Sequence, residues 1–380
     1  MTRISLKKLV LSRMLASRSR LLSACSEGGR CSYYEIPAVP LVARNWSSRL
    51  PDELAELGTE LEATRQPCCE LRDVRLVGAN PVALLPEGRF LIESAGSSLD
   101  SLALSVSKRD ICRGLRPRNT PPPTTSVVVV NLAPLWSHGY FHWLVEVLPQ
   151  LFYFAEQFDE EYGAGHFKVI ISHRGGHFVR ESLRILGVPS DRISEWTPGS
   201  YDSVSRYALL PFPRTERWIS ARPYDWLRRT MLRELGLDPS VAPTKMYYIS
   251  RQGARARAVG NEDALLPILD RYGIEVLRSE EYSFAAQVEM FSQARLIVGP
   301  HGAGLANMIW GGSMSVIELF GDTRVHCYYT LANALGHRYE CVQGREEHGL
   351  ISVDPSRLEA ALERHLRHED RGGSPGRGVH

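Results

Sequence analysis

Apolar and polar positions along this chain follow two alternating registers. From Ser126 onward, short aliphatic and β-branched runs, the mark of strands buried on both faces, take turns with stretches whose apolar residues recur every three or four positions. Ser126–Val130, His166–Ser172, Tyr207–Leu210, Met246–Ile249, Ile274–Leu277, Leu296–Val298 and Val316–Phe320 predict strands. Between them, Phe141, Leu144, Val145, Leu148, Leu151 and Phe152 fall at helical spacing, and Pro149 must kink that helix or begin a second one. Further helices are predicted through Val179–Leu186, through Trp226–Met231, from Asn261 to Gly273 across Pro267, and through Phe284–Phe291 behind a Ser283 cap. Such alternation predicts an α/β protein with parallel sheets covered on both faces.

The chain before Ser126 reads differently. Val74–Val77, Val82–Leu85 and Phe90–Ile92 predict strands around the turn Pro86-Glu87-Gly88, and the proline-rich Arg116–Thr125 predicts a connector. Leu237–Thr244, with Pro239 and Pro243, is the predicted domain boundary. The expected division is a basic segment 1–30, an N-terminal domain 31–236, a C-terminal domain 245–350, a helix within 351–366 and a disordered Gly/Pro/Arg tail 367–380.

Composition narrows the class. At 380 residues with 43% apolar and 23% charged positions the chain suits two soluble domains, and a net charge of +2 gives no nucleic-acid footprint. Seven cysteines, an odd number without a C-x-x-C, argue for reduced thiols in a cytoplasm and against a disulfide framework or zinc cluster. No apolar run reaches the roughly eighteen residues of a membrane span. In residues 1–20, Arg3, Lys7, Lys8, Arg13, Arg18 and Arg20 alternate with Leu6, Leu9, Val10, Leu11, Met14 and Leu15. That pattern suits either a solvated terminus or peripheral contact with an anionic membrane surface, at its inner face for a cytoplasmic protein.

Candidate chemistry gathers at strand ends. In ARLIVGPHGAGLANMIWGGSMSVIELF, residues 294–320, the turn His301-Gly302-Ala303-Gly304 lies between a buried strand and a helical stretch, Leu305–Trp310. Small residues there let a ligand approach the backbone, and amides at a helix start suit a phosphate. The turn is not a dinucleotide fingerprint, since Asn307 replaces the third glycine, nor a Walker loop. Arg251 follows another strand and Glu318 ends a third; an arginine and a helix start would hold a diphosphate, and the carboxylate would accept from ribose hydroxyls. Arg255 and Arg257 stand on a loop able to close over phosphates or simply to be solvated. In the other half, His142 and Glu146 are four apart on one helix face, so either could be a general base, or the two could be a surface ion pair; His138 is a weaker candidate. No Asp-x-Asp occurs, so no metal site on a diphosphate is expected and no cofactor is implied.

The runs GYFHWLVEVLPQLFYF, YYISRQGARARAVGNED and SFAAQVEMFSQARLIVGPHGAGLANMIWGGSMSVIELF together resemble family 61 of the glycosyltransferases, over about residues 126–345. The resemblance implies a GT-B-like architecture: two Rossmann-like domains with parallel sheets facing an interdomain cleft, the nucleotide-sugar on the C-terminal domain and the acceptor on the N-terminal one. It also implies an inverting, largely metal-independent transferase. Arg251, His301, Gly302, Ala303 and Gly304 fall on or within its nucleotide-binding motifs, His142 on its N-terminal motif histidine and Glu146 on a nearby acidic position. The expected partners are a nucleotide-sugar donor, UDP-linked, and a glycan or lipid-linked glycan acceptor in capsule or other surface-polysaccharide synthesis. Residues 1–115 have no counterpart in that resemblance. The alternatives are a pyruvyltransferase, an epimerase, or a non-catalytic nucleotide-binding subunit of a polysaccharide assembly.

Overall fold

The computed structural model describes residues 6–16, 21, 29–41, 59–96, 98–114, 125–254, 257–322 and 325–369. Arg3, Arg18, Arg20, Arg255, most of the 116–125 connector and the tail beyond Glu369 therefore lie outside the described residues. The chain divides into two units, Met1–Pro37 with Ala63–Thr230, and Ala38–Glu62 with Met231–His380.

The first unit is built on a seven-stranded sheet. Its strands are β1 (Cys31–Ile36), β2 (Thr64–Val77), β3 (Val82–Leu84), β4 (Val128–Asn131), β5 (Phe167–Ser172), β6 (Ile193–Trp196) and β7 (Tyr201–Leu209). They run in the order β1-β2-β7-β4-β5-β6, with β3 paired to β2. The aliphatic run of β4 is buried at every position, as a central parallel strand requires. It pairs in parallel with β5 on one side and β7 on the other, and β5 with β6. The strands predicted before Ser126 extend this sheet antiparallel: β2 pairs with β1, β3 and β7. Phe90–Ile92, expected as a strand, forms only single bridges at Phe90 and then a 3-10 turn over Ile92–Ala95.

Two expectations for this half change. The helix Leu6–Arg13 does not offer a free apolar face, because Leu11 and Met14 are buried in a cluster with Val77, Val82, Leu84, Phe90 and Leu102. Lys8 pairs with Asp100 beside it. The apolar residues read as a membrane-facing stripe are thus partly consumed by the core, which leaves Leu9 and Val10 exposed. Second, Cys31, Cys68, Cys112, Cys327 and Cys341 are free thiols, but Cys69 is disulfide-bonded, against the expectation of reduced thiols throughout.

The second unit carries a five-stranded, wholly parallel sheet. Its strands are β8 (Lys245–Ile249), β9 (Glu275–Leu277), β10 (Ala294–Pro300), β11 (Ser315–Phe320) and β12 (Arg338–Gln343), in the order β9-β8-β10-β11-β12. The helix Glu262–Arg271 tolerates Pro267, and Ser283 caps Phe284–Ser292 by accepting from the Ala286 amide at 3.2 Å. One face of the sheet buries Leu265, Leu269, Leu296, Val298, Ile317 and Leu319 against Leu358 and Leu362. The last two lie on the helix Pro355–Glu369, which runs past the expected end at Leu366 and carries an Arg367–Glu363 ion pair of 2.6 Å one turn apart. Among the described residues no helix is long and apolar enough to cross a membrane.

Candidate functional site

Ligands of open parallel sheets bind beyond the carboxyl ends of the strands where the winding reverses. In the second unit the chain goes from β8 to β9 on one side and then to β10, β11 and β12 on the other, so the reversal lies between β8 and β10. The residues after these two strands are Ser250-Arg251 and His301-Gly302-Ala303-Gly304. The end of β8 is anchored: Ser250 Oγ donates to Glu262 at 2.7 Å, and Tyr248 Oη donates to the same buried carboxylate at 3.2 Å. Arg251 therefore leaves the sheet from a fixed point.

Glycine is needed at the turn because other groups occupy the space. A Cβ on Gly302 would stand 2.1 Å from Nη1 of Arg251, and one on Gly304 2.8 Å from Cγ2 of Ile249. The stretch after the turn is a 3-10 helix, Ala303–Trp310, rather than the α-helix its spacing suggested. His301 N–H bonds the Leu319 carbonyl at 3.0 Å and Leu305 N–H bonds the Gly302 carbonyl at 3.0 Å, with the amides of Gly302, Ala303 and Gly304 between them. Burial, then the charge of Arg257, hold the Arg251 guanidinium below its ordinary value. Two arginines close enough to repel make a place where an anion is favoured.

Glu318 does not play the part expected of it. It is fully buried, and both its oxygens are taken: Oε1 by His301 Nδ1 at 2.5 Å and Oε2 by the Tyr339 hydroxyl at 2.5 Å. Enclosed in this way, the carboxylate presents no surface to a ribose. Burial and then the Glu318 charge push Tyr339 well above its ordinary value, so it stays a neutral donor. With Nδ1 donating to the carboxylate, His301 keeps Nε2 as its second polar atom. The ring is held between Phe320, stacked at 5.6 Å, and Tyr328, edge-on at 5.2 Å, whose hydroxyl donates to the Gly302 carbonyl at 2.7 Å. Tyr328 and Arg257 had no distinguishing signal in the sequence beyond the latter's place on a basic loop.

In the first unit the chain goes from β4 to β5 and β6, then returns to β7 on the other side of β4, so that reversal lies between β4 and β7. Residues 132–139 follow β4 and lead into the helix that bears His142 and Glu146, while residues 210–220 follow β7 and carry Arg214. His142 Nδ1 is 2.7 Å from Glu146 Oε2, and Arg214 Nη1 donates to Glu146 Oε1 at 3.3 Å. Arg214 is buried, with its guanidinium over the Phe141 ring at 5.7 Å, whereas the side chain of His142 is 37% exposed. The sequence paired His142 with Glu146 through their spacing; Arg214, 68 positions beyond Glu146, is brought in only by the sheet.

Pro149 shapes this helix. Tyr140–His142 passes into a π-turn over Trp143–Val147, with Leu148 N–H reaching the Trp143 carbonyl at 2.7 Å, and Pro149 then starts a second helix, Gln150–Gln157. In a continuous α-helix residue 149 would donate to the Val145 carbonyl; proline has no N–H to give. The buried Tyr224 hydroxyl donates to that carbonyl instead, at 2.8 Å. Such π-turns concentrate at functional sites. His138 lies in the loop before this helix, and burial, then Arg174, His142 and His173, hold it below its ordinary value. Among the described residues no group of three His, Cys, Asp or Glu is placed to hold a metal ion.

Residues 140–317 match the family model of Glycosyltransferase 61. The EGF domain-specific O-linked N-acetylglucosamine transferase of Drosophila melanogaster is similar to this chain at 30% identity over 117 residues, 30% of this chain. The chain spans 22% of the length of that curated relative. Among solved structures, that of the dodecameric iron-containing heptosyltransferase TibC in complex with ADP-D-beta-D-heptose aligns with 68% of this chain and 82% of its own, at 11% identity and a TM-score of 0.31. The segment that matches this family model contains His142, Glu146, Arg214, Arg251 and the His301–Gly304 turn.

Proposed function

We propose that this chain is an inverting glycosyltransferase of GT-B type that moves a sugar from a nucleoside-diphosphate donor to a hydroxyl acceptor. Its second unit holds the diphosphate and its first unit activates the acceptor. One observation carries the reading: Arg251 lies over Gly302 at the winding reversal of a wholly parallel sheet.

The acceptor base in this reading is His142. Both oxygens of Glu146 face a partner, His142 on one side and Arg214 on the other, which suits a carboxylate that orients an imidazole better than one that collects protons. Nδ1 donates to Glu146, and Nε2 takes the proton of the acceptor hydroxyl. The oxygen then attacks the anomeric carbon as the bond from that carbon to the diphosphate oxygen breaks. Inversion follows from a single displacement. The departing negative charge is met by Arg251, Arg257 and the amides of Gly302–Gly304, with His301 fixed by Glu318 at the head of the turn.

The expected donor is UDP-linked and the expected acceptor a glycan, with no divalent ion required. The Drosophila relative's name instead couples N-acetylglucosamine to an EGF domain, so a protein hydroxyl is the second acceptor class to test. The test is a panel of nucleotide-sugars scored for thermal stabilisation and for nucleoside diphosphate release, with and without a chelator. Stabilisation by one nucleotide and chelator-resistant release support the reading. Conversion of the donor to an isomer without release would point to an epimerase, and stabilisation without any turnover to a binding subunit.

A further inference from the structure

The loop that leads to His142 presents an aromatic face that the fold itself does not use. Trp136 is 51% exposed, and it is the only exposed tryptophan among the described residues. Its backbone sits at φ 70°, a conformation that costs a bulky side chain energy and that glycine or asparagine would adopt more easily. The loop is not loose: Ser137 N–H bonds the Pro134 carbonyl at 3.1 Å and Gly139 N–H bonds the Trp136 carbonyl at 2.8 Å. A strained, ordered turn that holds a large apolar ring in water calls for a use outside the fold.

Its place suggests that use. The loop follows β4 at the first unit's winding reversal, and the indole centroid lies 6.3 Å from that of His138. The point where a Cβ on Gly139 would stand is 3.4 Å from the Trp136 carbonyl and 3.5 Å from Cδ2 of His142. The strained turn and the base thus meet across one glycine. A pyranose has a CH-rich face that packs on an indole, and a rim of hydroxyls that imidazoles can bond.

We infer that Trp136 is the platform on which a pyranose ring of the acceptor stacks, presenting its hydroxyl to His142. This deepens the transferase reading and rests on it, and it selects a saccharide acceptor over a bare protein hydroxyl.

The test is saturation-transfer difference NMR with the methyl pyranosides of glucose, N-acetylglucosamine and xylose as probes. It compares the full chain with Trp136→Gly, which suits the backbone but removes the ring, and with Trp136→Phe, which keeps a ring. Saturation of ring CH protons in the wild type, mostly retained with Phe and reduced about tenfold with Gly, is expected. The thermal shift produced by UDP serves as a control for the second unit and should be the same in all three proteins. Equal saturation in Trp136→Gly overturns the inference. So does the absence of saturation in the wild type, the outcome a protein acceptor would give. A UDP shift lost in Trp136→Gly would move the residue to the donor side and also overturn it. A wild type without any UDP shift counts against the donor assignment of the broader reading, while the saccharide signal still decides the role of Trp136.

Discussion

The guanidinium of Arg251 fills the space that a side chain at Gly302 would need, with Nη1 2.1 Å and Cζ 2.8 Å from where the first carbon would stand. The backbone of Gly302, at φ 178°, is one any residue adopts. The glycine therefore answers to the arginine and not to the turn. Gly302→Ala should displace Arg251, abolish stabilisation by nucleotide and lower transfer by roughly a hundredfold or more. In the double variant Arg251→Ala/Gly302→Ala the Tm should recover while transfer does not. A single variant with normal nucleotide-induced stabilisation would remove Arg251 from the donor site.

Glu146 should act through His142. Glu146→Gln keeps the shape of the contact but not its charge, and kcat should fall about a hundredfold while the nucleotide-induced thermal shift is unchanged. Arg214→Met should reproduce the kcat loss in part, because Glu146 is then held from one side only. If kcat in Glu146→Gln is within twofold of the wild type, another group is the base or its orienter.

A buried ion network gives the first unit a measurable acid sensitivity. Arg206 donates to Glu70 at 2.9 and 2.8 Å and to Glu161 at 2.7 Å, and Arg30 reaches Glu161 at 2.5 Å. Burial alone would raise the Glu161 carboxyl, but the hydrogen bonds from Arg206 and Arg30 outweigh it and leave the group below its ordinary 4.5. A depressed carboxyl contributes stability above its unfolded pKa, and that stability is lost as pH falls through the folded value. Arg206→Met should cost about 3–5 kcal/mol near pH 7, where two buried carboxylates lose a partner. The deficit should shrink as pH falls toward the ordinary carboxyl value, where Glu161 without its arginine can be protonated. Denaturant unfolding of both proteins at pH 7 and pH 4 checks this; a deficit that does not depend on pH would show that lost packing, not charge, is responsible.

Tyr224 and Pro149 should be energetically coupled through one carbonyl. Tyr224→Phe removes the hydroxyl that satisfies Val145 and should cost about 1–3 kcal/mol. In a Pro149→Ala background, the new N–H can reach the freed carbonyl, and the same substitution should cost less. A double-mutant cycle in urea reads the coupling, and strict additivity would mean that the carbonyl finds another partner.

What the sequence revealed depended on how local the signal was. Four strands of the second unit, β8 to β11, and the small residues at 302–304 were legible because apolar runs and a tight turn each leave a contiguous pattern; β12, with Arg338, Glu340 and Gln343 in its run, was not expected. The winding reversals were not, since strand order is set by which edges meet, yet they explain why Arg251 and His301, or His142 and Arg214, stand together. Glu318 was misread for a specific reason. Every position of β11 is buried, so periodicity could not tell a carboxylate facing a ligand from one enclosed by His301 and Tyr339. The 14-residue β2 was expected only over its last four positions, because Arg65, Gln66, Pro67, Glu70, Arg72 and Asp73 interrupt the ten before them and leave no apolar run.

The sheet of the first unit also reaches outside the bounds of the family match. The family match opens at residue 140, but β7 is bonded over eight positions to β2, which precedes it by more than a hundred residues. A fragment cut to the family boundaries would also lose β4 and leave this central strand bare on both sides, ready to pair with another chain. The segment that matches the family is thus not a complete sheet: β2 and β4, both before residue 140, supply the two flanks of β7.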